Sequence, residues 1–573
     1  MARAMRGALS ASQRELDSHL LLQGISTQGA YISAQRRALR KSLNPFIPRQ
    51  DGPLERATAA KLLDTASAVI EGAVHRQLKH QNQVPWMITL RILSGPSCPP
   101  LFYDTAWPQT RFMAEAFSAQ YASSTHTTAF AVGMLQLGRS GVVIGEAQLQ
   151  DLVKLLVRSE QYAWLQSARQ HLKMGATLEI RNRRICTTND EEAQTLVDLF
   201  HRRMRDRQDE FSGVVGADLS ASHRDPDNFI GSLLRIHEIQ EQGDAALHSR
   251  QWRDLLGADW WSATTRPRFL WDLQNMGPAV ALIKSLDQEL PDQHLRTLQY
   301  FLLLAHRSVK MAIAPDEWVY SVPFGGYTVS DVQSFSGELA NPRVAWREVI
   351  QQNFPDNQLL FTMSELVECC EWAHSVCGLA GLGHVIRTDG AEVFVDLFSL
   401  SVQLSYLLNI AINPGGPLAN IRGRMLEQNI QDAINASKWA PPAELASLLN
   451  RNLQLPNGRG FELDALAVID DVIVIIDAKS RVRTPDYDMA SANTVWNTSL
   501  TTAADYRKLS DLVLNLTSHR DSWLPSRYAN FSIEGIVCIP GPLFLHEAEC
   551  ARSDNSLGVM NVCTLEELTK ALV

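Results

Sequence analysis

The stretch Phe461-Glu-Leu-Asp-Ala-Leu-Ala-Val-Ile-Asp-Asp-Val-Ile-Val-Ile-Ile-Asp-Ala-Lys479 carries the clearest structural signal in this chain. Two apolar runs are separated by the polar pair Asp470-Asp471, a pattern that predicts a β-hairpin. The second run, Val472 to Ile476, is uniformly apolar, which is typical of a central strand covered on both faces. The stretch therefore predicts a strand, a tight turn and a buried strand.

Charged residues flank the two runs. Because residues two apart on a strand share a face, we expect Glu462 to lie beside Asp464, and Asp477 beside Lys479. Acidic residues near turns and strand ends are usually solvated. Charges at the end of a buried strand are nevertheless costly unless they are paired or bind an ion. The pattern therefore favours a divalent-metal site with a lysine beside it.

The order of these charges resembles the core of the PD-(D/E)xK nuclease superfamily, which has the restriction-endonuclease-like fold. Asp464 is followed, thirteen positions later, by the triplet Asp477-Ala-Lys479. Many members carry a glutamate on the helix before the hairpin, and Gly423-Arg-Met-Leu-Glu427 offers Glu427 as the match. The chain departs from the family in having Leu463 where a proline is usual, and an aspartate where glutamate is the commoner second acid.

The segments around the hairpin extend the resemblance from Leu418 to the end of the chain. Apolar spacing predicts a helix before the hairpin over 428–434 and another after it over 502–516. Strands are expected over 531–539 and 559–563, and a last helix over 565–572. The order helix, hairpin, helix, strand, strand, helix matches that of the superfamily.

The resemblance implies a metal-dependent nuclease that hydrolyses phosphodiester bonds, with DNA favoured over RNA because most of the similar families cut DNA. Mg²⁺ or Mn²⁺ is the expected cofactor, since hard cations prefer oxygen ligands. We expect Asp464, Asp477 and Glu427 to bind it, with the Ala478 backbone carbonyl as a further ligand and Glu462 in a secondary role.

Lys479 is expected to act on the attacking water or on the charged phosphate. The cation would polarise the phosphate and acidify that water. A lysine flanked by carboxylates normally stays protonated, which favours an electrostatic role over that of a base. Ser480, Arg481 and Arg483 are placed to touch backbone phosphates, although a solvated loop is an equally good interpretation.

Whole-chain quantities are compatible with this function but do not require it. The chain has 573 residues, of which 45% are hydrophobic and 20% charged, so it is long enough for several globular domains. Its net charge of −9 does not favour strong sequence-independent DNA binding. The 8 cysteines are irregularly spaced and indicate neither a disulfide framework nor a zinc pair. Lacking a signal peptide or a long apolar span, the protein is expected in the cytoplasm, away from membranes.

The first 415 residues show mainly helical periodicity. Helices are predicted over 59–77, 148–173, 190–205, 295–311 and 363–379. Two hairpins are expected, one with strand 176–180 and turn 181–184, the other over 384–395 with an Asp389-Gly390 turn. The basic runs 36–41 and 201–207 could lie along nucleic acid, although solvated helix faces are the better interpretation.

These patterns predict a multidomain chain. A mainly α-helical N-terminal region (1–212, with short hairpins) and a mainly helical middle region (213–415) precede an α/β restriction-endonuclease-like domain (418–573), in which helices flank a central mixed sheet. The best linker is 413–417, and a weaker break lies at 213–228.

We expect a DNA endonuclease whose helical front recognises substrate, senses a trigger or binds a protein partner. Such architectures are common in prokaryotic antiviral defence, an analogy that rests on organisation alone. The alternative is an inactive nuclease-fold scaffold or nucleic-acid-binding module that acts with a partner. The presence of Asp464, Asp477 and Lys479 together favours the enzyme.

Overall fold

The structure is a computed structural model. It describes residues 21–81, 83–93, 102, 107–122, 136–138, 141–143, 146–188, 191–206, 232–238, 269–275, 290–313, 326–340, 361–388, 392–409, 416–449, 451–456, 458, 460–489 and 492–573. The predicted break at 213–228 and the Asp389-Gly390 turn lie outside these residues, as does most of the predicted linker.

Helices dominate the described residues before 415 and alternate with strands after it. They are α1 (Gly29–Leu43), α2 (Arg56–Leu78), α3 (Gln83–Ile92), α4 (Trp107–Tyr121), α5 (Glu146–Lys173), α6 (Glu191–Asp206), α7 (Asp292–Ile313), α8 (Val332–Ala340), α9 (Met363–Cys377), α10 (Leu397–Leu408), α11 (Pro417–Asn435), α12 (Ala443–Ala446), α13 (Pro485–Asp488), α14 (Ala492–Ser518) and α15 (Leu565–Leu572).

The strands are short and form several separate sheets. They are β1 (Gly52–Pro53), β2 (Gln136–Gly138), β3 (Gly141–Val143), β4 (Thr177–Arg181), β5 (Arg184–Thr188), β6 (Ser232–Glu238), β7 (Phe269–Asn275), β8 (Tyr327–Asp331), β9 (Ile386–Thr388), β10 (Glu392–Asp396), β11 (Leu453–Gln454), β12 (Gly460–Phe461), β13 (Ala465–Ile469), β14 (Val472–Ala478), β15 (Ser532–Ile539) and β16 (Val562–Thr564). The expected mixture of helices and sheets is confirmed.

The chain divides into two compact units. The first draws on the described residues of Met1–Ala168, Ile180–Ile185 and Leu219–Leu404. The second draws on those of Arg169–Glu179, Cys186–Asp218 and Ser405–Val573.

A four-stranded mixed sheet forms the centre of the second unit. Its strand order is β13-β14-β15-β16, in which β13 is antiparallel to β14 and the other two pairs are parallel. Helix α14 contributes Leu509 and Leu516 to the core on one face, together with Ile473 and Ile475 of β14. Helices α11 and α15 cover the opposite face, where Val474 and Ile476 are buried. The prediction that β14 is apolar on both sides is therefore confirmed.

The first predicted strand begins later than expected. Phe461 belongs to β12 and pairs with Leu453 of β11, while Glu462, Leu463 and Asp464 lie outside any strand. The strand that follows starts at Ala465, three residues after Glu462, and the expected placement of Glu462 beside Asp464 stays a prediction. Glu462 is exposed and Asp464 is partly buried.

Hydrogen-bond acceptors from α11 and from the segment just after it occupy the outer edge of β13. The Leu466 amide donates to Gln431 Oε1 at 3.0 Å. The Val468 amide donates to the Trp439 carbonyl at 3.0 Å. Two backbone donors of this edge strand are thereby satisfied without a further strand.

Helix α6 packs within the second unit, although it precedes α11 by more than two hundred residues. Phe200 makes an edge-to-face contact with Phe544, with ring centroids 6.2 Å apart. Arg203 forms two hydrogen bonds of 2.8 Å with the Glu567 carboxylate on α15. Glu567 also closes the capping box of α15 with Thr564, so α6 holds the start of that helix.

The other predicted elements agree with the structure in type. Helices α2, α5 and α7 cover three of the five stretches predicted before residue 415, and α6 and α9 match the other two to within two residues. The hairpin β4–β5 forms as expected. Strand β10 pairs with β9 as predicted, but also with β8, which the sequence did not indicate. Helix α14 begins at Ala492, ten residues before the predicted start. In the described part of the chain, no helix combines the length and apolar character needed to cross a membrane.

Candidate active site

Asp477 and Lys479 lie at the C-terminal end of the central strand β14. The Lys479 ammonium donates to Asp477 Oδ1 at 2.6 Å, and the two side chains are 30% and 23% exposed. The Lys479 amide donates to the Cys538 carbonyl at 2.9 Å, which extends the pairing with β15 past the end of the strand. The sheet therefore fixes the backbone beneath both charges.

Asp464 is held against the same strand end by its own side chain. Its Oδ2 accepts a hydrogen bond of 2.8 Å from the Ala478 amide. Because Ala478 stands between Asp477 and Lys479 in the chain, this bond brings the Asp464 carboxylate to that pair. The bend before β13 makes the contact possible.

Glu427 approaches from α11. A methyl group placed on Gly423 would lie 3.8 Å from Glu427 Oε1 and 3.9 Å from Ser480 Oγ. The Glu427 carboxylate is therefore near the residue that follows Lys479.

Burial, together with like charges, raises the pKa values of two carboxylates at this site. Burial, followed by the charge of Asp477, raises the pKa of Asp464 to about 7, although Lys479 and the Ala478 amide oppose the shift. Burial and the charges of Glu462 and Asp477 also raise the pKa of Glu427. The site holds more negative charge than Lys479 neutralises.

Burial alone would lower the pKa of Lys479. The neighbouring carboxylates of Asp477, Asp464 and Asp505 outweigh this effect, so the pKa of the ammonium is raised. Lys479 is consequently protonated at neutral pH. It is a cationic hydrogen-bond donor in this geometry rather than a base.

The donor chemistry suits a hard cation. Asp464 and Asp477 each use one carboxylate oxygen in the bonds above, and no hydrogen bond to the other oxygen occurs within the described ranges. Glu427 likewise makes no hydrogen bond or ion pair with another described residue. However, no group of three or more His, Cys, Asp or Glu side chains among the described residues is arranged to hold a metal ion. The carboxylates would have to draw together around a cation.

The residues expected to touch phosphates are engaged within the protein. Arg481 donates to Asp505 Oδ2 at 2.8 Å and 3.2 Å. Arg483 forms an ion pair with Asp488, whose other oxygen accepts a bond from Tyr406. These pairs leave the two arginines less available to a phosphate than the sequence indicated.

Ser480 also makes internal hydrogen bonds. Its hydroxyl donates to the Ala419 carbonyl at 3.4 Å, and its carbonyl accepts from Arg422 Nε at 3.1 Å. The loop after β14 is thereby attached to α11. The site's remaining expected ligand, the Ala478 carbonyl, follows Asp477 on the strand end.

Arg422 and Asp505 belong to the site but are not among the residues that the sequence analysis predicts for it. Burial, then the charge of Arg481, lowers the pKa of Arg422 to about 10, and its side chain is 2% exposed overall. Helical spacing offered a signal, because Arg422 lies four residues before the buried Leu426. Asp505 is similarly spaced between the buried Thr502 and Leu509 on α14. A charged residue within an apolar helical stripe indicates a buried polar contact.

Comparison with known protein families, curated proteins and solved structures gave no match.

Proposed function

We propose that the second unit is a metal-dependent nuclease related to the PD-(D/E)xK superfamily. The observation that carries the proposal is the meeting of Asp464, Asp477 and Lys479 at the end of β14, through the two hydrogen bonds of 2.8 Å and 2.6 Å. The mixed sheet between α14 on one face and α11 and α15 on the other supports a restriction-endonuclease-like fold. DNA is the favoured substrate.

Each residue has a distinct role in the proposed reaction. A divalent cation held by Asp464, Asp477 and Glu427 would supply Lewis-acid polarisation of the scissile phosphate. Lys479, protonated and fixed by Asp477, stabilises the negative charge that develops on the phosphate oxygens. Arg422 and Asp505 act through their neighbours, because they hold the loop at Ser480 and Arg481 in place.

The test uses the full-length protein with plasmid and single-stranded DNA, and with RNA, in Mg²⁺ or Mn²⁺. Cleavage should stop in EDTA. Asp477→Ala and Lys479→Ala should each lower the rate at least about a hundredfold, the loss typical of removing a group that stabilises transition-state charge.

Asp471→Ala is the matched control, because Asp471 is an exposed acid in the turn of the same hairpin. It should retain full activity. Circular dichroism of each variant separates loss of chemistry from loss of fold. Cleavage that persists unchanged in both Asp477→Ala and Lys479→Ala would refute the proposal.

An inactive scaffold is the second candidate, and specific contacts favour it. Arg481 and Arg483 are committed to internal ion pairs, and the described acidic side chains do not form a ready three-ligand set. Inactivity on DNA and RNA with either cation, combined with no effect of Mg²⁺ on thermal stability, would support the scaffold.

A further inference from the structure

The first unit contains a pocket of about 360 Å³. Helices α1, α2 and α5, the segment 44–47 that follows α1, and the β4–β5 hairpin supply its lining. Its interior is apolar and includes the buried side chains of Leu39, Leu43, Leu62, Val157 and Leu165. Pockets that bind small molecules commonly have about 300–1,000 Å³ of space and a mainly apolar lining.

The charged residues of the lining are mostly basic. Arg36, Arg40, Arg183 and Arg184 face a single acid, Glu160, which leaves a net charge of +3 in a chain of net charge −9. Glu160 is taken up by Arg36, with contacts of 2.8 Å to 3.1 Å. The other three arginines are exposed and make no side-chain hydrogen bond or ion pair with any residue that the structure describes. The pocket is therefore suited to an anion.

Two exposed aromatic side chains line the same pocket. Phe46 is 46% exposed and Trp164 is 38% exposed. Every other Phe or Trp whose side chain is described is buried or half-buried. Exposed aromatic side chains beside free arginines are the combination that binds nucleic-acid bases and their phosphates.

The β4–β5 turn keeps an arginine in a conformation that glycine would adopt more easily. Asn182 and Arg183 have φ angles of 51° and 57°, in the left-handed region. The Asn182 amide donates to Asp51 Oδ2 at 2.9 Å, which anchors the turn. Two-residue hairpin turns commonly have positive φ at both positions, so the hairpin itself sets this conformation and places Arg183 in the pocket wall.

We propose that this pocket binds a nucleotide, with the base against Trp164 and Phe46 and the phosphate on Arg40, Arg183 and Arg184. The ligand is a free nucleotide or one residue of a single-stranded nucleic acid, since both present an aromatic base joined to an anion. This binding activity goes beyond the proposed nuclease reaction and uses none of its residues.

Isothermal titration of the full-length protein in EDTA tests the proposal with ATP, adenosine, inorganic tripolyphosphate and a short oligothymidylate. ATP should bind more tightly than adenosine or tripolyphosphate, because only ATP offers both groups. Arg40→Glu and Trp164→Ala should each weaken ATP binding about tenfold or more. Arg37→Glu is the matched control on α1, because Arg37 is exposed but does not line the pocket, and it should change affinity less than about twofold.

Arg183→Gly separates binding from folding. Glycine relieves the turn, so this variant should keep its melting temperature while losing ATP affinity. Tighter binding of oligothymidylate than of ATP would assign the site to single strands, and the reverse would assign it to free nucleotides; both support the proposal.

Three results would overturn it. They are equal affinity for ATP and tripolyphosphate with no effect of Trp164→Ala, failure of ATP and the oligonucleotide to bind, and, in a parallel titration with oleate, binding of that apolar anion instead of ATP. The Lys479→Ala variant should bind ATP normally. Loss of nuclease activity and loss of nucleotide binding are therefore distinguishable.

Discussion

Asp464 illustrates, at the scale of a single residue, how a site can be arranged at the expense of stability. Its pKa in the folded protein is raised to about 7 by burial and by Asp477, whereas an aspartate in an unfolded chain has a pKa of about 3.9. The folded state therefore binds this proton more tightly than the unfolded state does. The contribution of this group to the free energy of unfolding is complete below about pH 4 and is lost as the pH rises to about 7.

We therefore expect Asp464→Asn to stabilise the protein above neutral pH in the absence of a cation. The neutral amide still accepts from the Ala478 amide but has no charge to bury. The gain at pH 8 should be roughly 1–3 kcal/mol, and near zero at pH 4. Thermal unfolding in EDTA at the two pH values measures it.

The effect of a divalent cation on thermal stability can be compared between the unmodified protein and Asp464→Asn. Mg²⁺ should raise the melting temperature of the unmodified protein at pH 8 and have a smaller effect on Asp464→Asn, because binding to the folded state stabilises it. If Asp464→Asn were instead less stable than the unmodified protein by the same amount at both pH values, the pKa of Asp464 would not be raised by folding.

At the scale of elements, two glycines differ in the space that surrounds them. Gly535 on β15 lets α14 approach, since an added methyl would lie 2.8 Å from Val513 Cγ2 and 3.0 Å from Leu509 Cγ. Gly423 on α11 has no neighbour nearer than 3.8 Å to such a methyl. We expect Gly535→Ala to lower the free energy of unfolding by about 1–3 kcal/mol through overpacking.

Gly423→Ala should have the reverse sign. Alanine favours a helix interior by up to about 1 kcal/mol over glycine, and the space at Gly423 accepts a methyl group. Urea unfolding of the two variants, followed by circular dichroism, compares them directly. Stabilisation by Gly535→Ala would contradict the close packing of α14 on β15.

Sequence patterns predict helices and strands well where a single hydrophobic pattern dominates the segment. The apolar run 472–476 required a strand buried on both faces, and the period of 565–572 required a helix. Local patterns were weaker at boundaries. The strand expected at Glu462 does not form, because Phe461 pairs with Leu453 instead, and such a pairing has no local signature.

At the scale of the whole molecule, α6 shows what sequence order conceals. The sequence predicts a last domain that starts at residue 418, whereas the second unit also contains α6 with its Phe200 and Arg203 contacts. Nothing in 191–206 beyond an amphipathic pattern indicates where its apolar side packs. The same limit applies to the site: helical spacing indicates that Asp505 makes a buried polar contact, but only the structure identifies Arg481 as its partner.

We predict that a fragment comprising Ser405–Val573 alone is less stable than the full chain. Without α6 it exposes the apolar surface around Phe544 and leaves Glu567 without its arginine. In the full chain, Arg203→Ala should lower stability by about 2–4 kcal/mol, because the arginine is 4% exposed and its loss removes the cationic partner of a partly buried carboxylate.

Differential scanning calorimetry of the fragment, with and without an added α6 peptide, measures the first effect. Arg202→Ala in the full chain is the control for the second, because Arg202 is exposed on the same helix. If the fragment were as stable as the second unit of the full chain, α6 would not contribute to the stability of that unit.

The outer edge of β13 has a consequence for how copies of this protein meet. Gln431 and the Trp439 carbonyl already occupy the Leu466 and Val468 amides. An extended peptide or the same strand of another copy would have to displace both before it could join the sheet there. Growth into a continuous intermolecular sheet on this side would therefore first cost two backbone hydrogen bonds.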